Sequence, residues 1–118
     1  MRSSYQNVPP YITKDGSEIR ELMHPSVHGN RAQSLAEATV APGAKTLLHW
    51  HRLTEEIYYV IAGRGRMTLD DETFEINAGD TIAIAPGTRH CVENTGNTAM
   101  KILCACSPAY AHDDTEIT

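Results

Sequence analysis

The chain has 118 residues, 41% of them hydrophobic and 21% charged, with a formal net charge of -5, which leaves room for one globular core and no second domain. Ten Lys and Arg against fifteen Asp and Glu exclude the basic footprint that binding along phosphate backbones requires, so nucleic acid is not an expected partner. The longest apolar stretch runs only from Ile57 to Ala62, too short for a membrane span, and the opening residues show no apolar core of an export signal. Three cysteines, Cys91, Cys104 and Cys106, are an odd number without the second pair of a zinc ribbon; they read as small buried residues in a reducing, cytoplasmic setting.

Residues 1–34 read as a polar, proline-bearing arm and edge strand, with Asp15-Gly16 as a turn between Ile12 and the segment Ser17 to Met23. From there the chain breaks into short β-type segments: Leu35 to Val40, Thr46 to His51, Glu56 to Ala62, Gly65 to Leu69, Thr73 to Ile76, Thr81 to Ile84, His90 to Asn94 and Met100 to Cys106. Pro42-Gly43, Gly63, Asp70-Asp71, Asn77-Ala78-Gly79, Pro86-Gly87 and Asn94-Thr95-Gly96-Asn97 punctuate them at the spacing of a small barrel or sandwich. Leu35, Glu37 and Thr39 alternate with Ala36, Ala38 and Val40, so one face is buried and the other is wetter. The fold class is therefore all-β with little or no helix: a barrel over residues 35–106 and a tail over 107–118 that lies on its surface.

Two segments concentrate chemistry. In the first, Gly43-x5-His49-x-His51-x4-Glu56-x6-Gly63, histidines at i and i+2 of a strand point to one face, about 7 Å apart at the backbone, so that both imidazoles can converge on one ion. Taken alone, the His-x-His pair is a weak signal. In the second, Gly79-x5-Ala85-Pro86-Gly87-x2-His90-x3-Asn94, a strand ends in a Pro-Gly turn and the next opens with a histidine, which a closed β-structure can bring opposite the first pair.

Together these segments resemble the paired motifs of the cupin superfamily, and the chain resembles a small single-domain bacterial cupin. The second motif has Ala85 where the family usually carries a proline. The resemblance implies a jelly-roll barrel of six to eight strands in which His49, His51, Glu56 and His90 bind one divalent transition metal. Three imidazoles and a carboxylate suit Fe, Mn, Ni, Co or Zn, and leave a divalent site near a single positive charge. Glu55 would share the parity of His49 and His51 if one strand ran unbroken, whereas a turn at Leu53-Thr54 resets parity in favour of Glu56, which the family spacing also selects.

The remaining residues carry duller expectations. His24, His28 and His112 read as ordinary hydrogen-bonded histidines; Tyr58 and Tyr59 as packing; Cys104 and Cys106, which share a face with Ile102, as core; Gly63 and Gly79 as turn residues. Trp50 should point out of the barrel and mark a dimer interface, and the arm offers a strand to a neighbouring subunit, so a homodimer is expected. Function follows less closely. The first expectation is a metal-dependent enzyme, dioxygenase-like or using other Lewis-acid chemistry, acting on a small oxygen-rich or carboxylate-bearing molecule, with Glu56 doubling as proton acceptor. The alternatives are a small-ligand binding or sensing protein, for which the lack of a recognisable separate base speaks, and a sugar-type isomerase or epimerase.

Overall fold

Period-two alternation, rather than any long apolar run, sets the inner surface of the barrel. The computed structural model describes all 118 residues. Eleven strands form: β1 (Tyr11–Ile12), β2 (Glu18–Met23), β3 (Ser34–Val40), β4 (His49–His51), β5 (Glu55–Ala62), β6 (Arg64–Leu69), β7 (Glu72–Asn77), β8 (Thr81–Ile84), β9 (His90–Asn94), β10 (Met100–Ser107) and β11 (Thr115–Ile117). They build two sheets, one in the order β1-β2-β3-β10-β5-β8 and one in the order β11-β4-β9-β6-β7. This nearly all-β architecture is the expected fold class, and every expected strand is present. No helix is long and apolar enough to cross a membrane.

The expected strand from Thr46 starts late, at His49: Thr46 N–H still reaches Val92 O of β9 at 2.9 Å, but Leu47 N–H leaves the ladder for Asp15 O at 2.8 Å. One helical turn, Pro25–His28, escapes the sequence reading. It is too short to show periodicity, and it is held by the His24 ring accepting from Ser26 N–H and by Gly29 at φ 87°. Gly63 and Gly79 occupy the left-handed region at φ 86° and 94°, as turn residues should; a Cβ on Gly63 would also meet Met100 Cα at 3.0 Å.

Size decides where the core ends and the site begins. The inner faces of β3 and β10 meet in register as Val40 with Met100, Ala38 with Ile102, Ala36 with Cys104 and Ser34 with Cys106. Side chains thus shrink from one end of the barrel to the other. Among the larger side chains Met100, Val60, Met67 and Ile102 are almost wholly enclosed, and burial of each contributes about 2 kcal/mol. At the other end alanine, serine and cysteine are too small to fill the space, and a cavity of about 50 Å³ remains, enough for an ion with a few waters or a small molecule.

The chain termini close that cavity. β2 pairs with β3 of its own chain, Glu18 opposite Thr39 through Met23 opposite Leu35, so the N-terminal segment is an edge of the barrel's own sheet. The tail is more than a surface cover: β11 pairs with β4, setting Thr115 against His51 and Ile117 against His49.

Candidate metal centre

Strand geometry places His49 and His51 on the inner face of β4, both buried, with Trp50 between them turned the other way and half-buried beneath Arg89, whose Cζ lies 5.8 Å from the indole centroid. His90 opens β9 directly across the ladder from His49. The turn that delivers it is sound without the family's second proline, since Thr88 N–H closes onto Ala85 O at 3.1 Å and Gly87 N–H reaches His51 O at 2.7 Å. Ring centroids of His49 and His90 are 4.2 Å apart, and His51 lies 5.3 and 5.4 Å from them.

Glu56 comes from β5 and is buried, whereas Glu55 faces solvent. Asp114 sets that parity: its carboxylate accepts from Leu53 N–H at 2.9 Å and Thr54 N–H at 3.1 Å, pinning the turn between β4 and β5 so that inner and outer faces restart at Glu55. Glu56 Oε1 then stands 3.2 Å from His51 Nε2 and 3.4 Å from His90 Nε2.

The outer nitrogens fix the chemistry of the inner ones. His49 Nδ1 lies 2.8 Å from Leu47 O and His90 Nδ1 lies 2.9 Å from Thr88 O. Carbonyls only accept, so both Nδ1 atoms carry the proton. Thr115 Oγ1 donates to Ala111 O at 2.9 Å, which leaves it to accept from His51 Nδ1, also at 2.9 Å. In their neutral form all three rings therefore turn an Nε2 lone pair inward, onto a carboxylate that also has only lone pairs to offer. His51 Nε2, His90 Nε2 and Glu56 Oε1 are buried without a hydrogen-bond partner. Such a cluster is stable only around positive charge, and the three imidazole nitrogens lie within 4.8 Å of one another, so these histidines can hold a metal ion. The outer hydrogen bonds are those that commonly orient metal-bound histidines.

Burial pushes the Glu56 carboxyl up, but the imidazoles of His51 and His90 outweigh it and hold the group down at about 2. Burial, and the charge of His90 beside it, lower the pKa of His49. The second Glu56 oxygen accepts from the Cys106 thiol at 3.3 Å; burial and then the Glu56 charge push that thiol's pKa far up, so it stays a donor.

The cavity also contains residues that the sequence did not single out. Asp15 sits in it with Oδ2 3.6 Å from His49 Nε2, while Oδ1 accepts from Ser17 N–H at 2.9 Å and Ser17 Oγ–H at 2.6 Å. Glu21, from β2, accepts from Tyr11 Oη–H at 3.1 Å. The sequence shows no recognisable separate base, and the structure brings these two carboxylates to the cavity. Cys104, Cys106, Tyr58 and Tyr110 line the same cavity, so the two cysteines are wall as well as core. Tyr59 is exposed. His24, His28 and His112 stay outside the cluster; His24 spends its ring nitrogens on Tyr110 O and on Ser26.

A β-barrel with histidines from two neighbouring strands and a carboxylate from a third matches a known family model, the cupin domain, over residues 36–106. The chain is a cupin. Its relatives include an uncharacterized protein, MJ1618, of Methanocaldococcus jannaschii, 57% identical over 99% of this chain and 94% of that one. The polyketide synthase protein CurC of Streptomyces cyaneus is 32% identical over 87% of this chain and 70% of its own length. Among solved structures, a predicted oxalate decarboxylase from Thermotoga maritima superposes with a TM-score of 0.79 at 28% identity, covering 92% of this cupin and 99% of the other chain.

Proposed function

We propose that this cupin is a metal-dependent enzyme acting on a small oxygen-rich molecule, with His49, His51, Glu56 and His90 holding one divalent transition ion from the group Fe, Mn, Co, Ni and Zn. The observation that carries the reading is the set of buried, partnerless lone pairs on His51, His90 and Glu56, which a borderline metal satisfies and an oxygen-preferring ion such as Mg or Ca does not. When bound, the ion supplies Lewis acidity and, if redox-active, a site for dioxygen.

The chain's own residues do the rest. Leu47 O, Thr88 O and Thr115 Oγ1 fix the ring orientations, and Cys106 holds Glu56 so that Oε1 faces the imidazoles. Glu56 is one proton acceptor; Asp15 Oδ2, at the cavity wall beside His49, is a second that need not leave a ligand position.

A homodimer fits the outer face of the larger sheet better than it fits Trp50. There Leu35, Ile57, Tyr59 and Ile61 are all exposed, and Leu103 pairs beside Tyr59, an apolar patch that a second copy would cover. Ile57→Asp is expected to lower the sedimentation coefficient to that of a monomer.

Elemental mass spectrometry on untagged protein tests the metal reading. Close to one equivalent of a transition metal per chain is expected, lost in a His49→Ala/His90→Ala double variant. Protein that carries no metal and takes none up on reconstitution overturns it.

A further inference from the structure

The part of the cavity wall that carries Asp15 and Glu21 is acidic, and no lysine or arginine answers it. Besides Glu56, the cavity is lined by Asp15 and Glu21, and by no lysine or arginine. The cation nearest in sequence is turned away: Lys14 Nζ donates to His112 O at 3.1 Å and Thr115 O at 2.7 Å, which ties the N-terminal turn to the tail. Arg20 likewise reaches outward to Val8 O at 2.6 Å. Asp15 is fixed in place, with Oδ1 occupied by Ser17 and its backbone oxygen by Leu47 N–H at 2.8 Å, so Oδ2 cannot swing away from the cavity.

Resting on the metal reading above, we propose that the pocket selects an uncharged small molecule that offers hydroxyl hydrogens and turns away small dianions such as oxalate, with Asp15 and Glu21 as the specificity-determining residues. The balance of charge differs from the single positive charge that the motif residues alone suggest. Two carboxylates beside a divalent ion cancel it, so the field that would draw in an anion is absent. A carboxylate placed next to Asp15 Oδ2 in a site screened from water meets direct like-charge repulsion.

An uncharged hydroxyl supplies what the wall lacks. Glu21 Oε1 is buried and has no hydrogen-bond partner, an acceptor left unserved. Donation from a ligand hydroxyl to Glu21 Oε1 or Asp15 Oδ2 removes that deficit. A site built to accept such hydrogens discriminates strongly against molecules that lack them. The likeness to a predicted oxalate decarboxylase therefore does not extend to an oxalate pocket.

The test compares two small oxygen ligands on the Co(II)-loaded full-length protein: oxalate, a dianion, and glycolamide, uncharged with a hydroxyl to donate. Cobalt content is measured first, and binding is followed by the visible spectrum of the ion in the wild type, Asp15→Asn, Glu21→Gln and the double variant. The expected result is at least about a tenfold gain in oxalate affinity in Asp15→Asn, a smaller gain in Glu21→Gln, and no gain for glycolamide. Oxalate affinity within about twofold of wild type in the cobalt-loaded double variant overturns the specificity proposal and leaves the metal reading standing. Wild-type protein that binds no cobalt overturns the metal reading, and the proposal with it.

Discussion

The two walls of the cavity are built by opposite strategies. The histidine wall is local: His49 and His51 are two residues apart on β4, and His90 hydrogen-bonds the carbonyl of Thr88, two positions before it. The carboxylate wall is assembled from the ends of the chain. Lys14 is tied to Thr115 and Thr13 to Tyr110, contacts that span 101 and 97 residues. One wall is therefore set as soon as its strands form, whereas the other exists only when both termini have docked. Metal affinity should depend chiefly on the first wall, and ligand choice on the second.

The largest effect expected from breaking that division is at Glu56. Glu56→Gln should weaken metal binding about a hundredfold or more in competition with a chromophoric chelator, while Glu55→Gln, on the outer face, leaves it unchanged. Equal losses in both would mean that the register at the β4–β5 turn is wrong.

Thr115→Val is the next test, because it removes the bond from the tail to the ring of His51 while its backbone pairing with β4 can persist. About a tenfold loss of metal affinity is expected. A loss as large as that in Glu56→Gln would make the tail part of the metal wall and dissolve the distinction between the two.

The smallest effect is on pH dependence of the metal-free protein. His49 has a pKa below the ordinary value of 6.5 because burial and the neighbouring His90 disfavour its charged form. Below about 6.5 the unfolded chain therefore takes up a proton that the folded chain resists, so stability is full above that pH and falls as the solution is acidified. The urea midpoint should be lower at pH 5.5 than at pH 7.5, and the difference should shrink in His49→Gln. Asp15→Asn should enlarge the difference, since the Asp15 charge favours the imidazolium.

Much of this molecule is legible in its sequence. Alternation and turn residues mark eight strands, because a half-buried strand must alternate and its ends must bend. The spacing His49-x-His51, with His90 after Pro86-Gly87, marks one wall of the site because it depends on short-range geometry alone. The choice between Glu55 and Glu56 already needed more, since it turns on Asp114, some sixty residues on, capping the intervening turn. Asp15 reads in sequence as half of a turn, and the tail as a covering segment. Neither carries a periodic or motif signal, because what makes them part of the site is contact across nearly the whole chain. Strand alternation, the turns and the His49-x-His51 pair are written along the chain, since each acts over a few neighbouring residues. That His90 meets His49, that Thr115 holds His51 and that Asp15 and Glu21 reach the cavity follow from packing, since those contacts join distant parts of the chain.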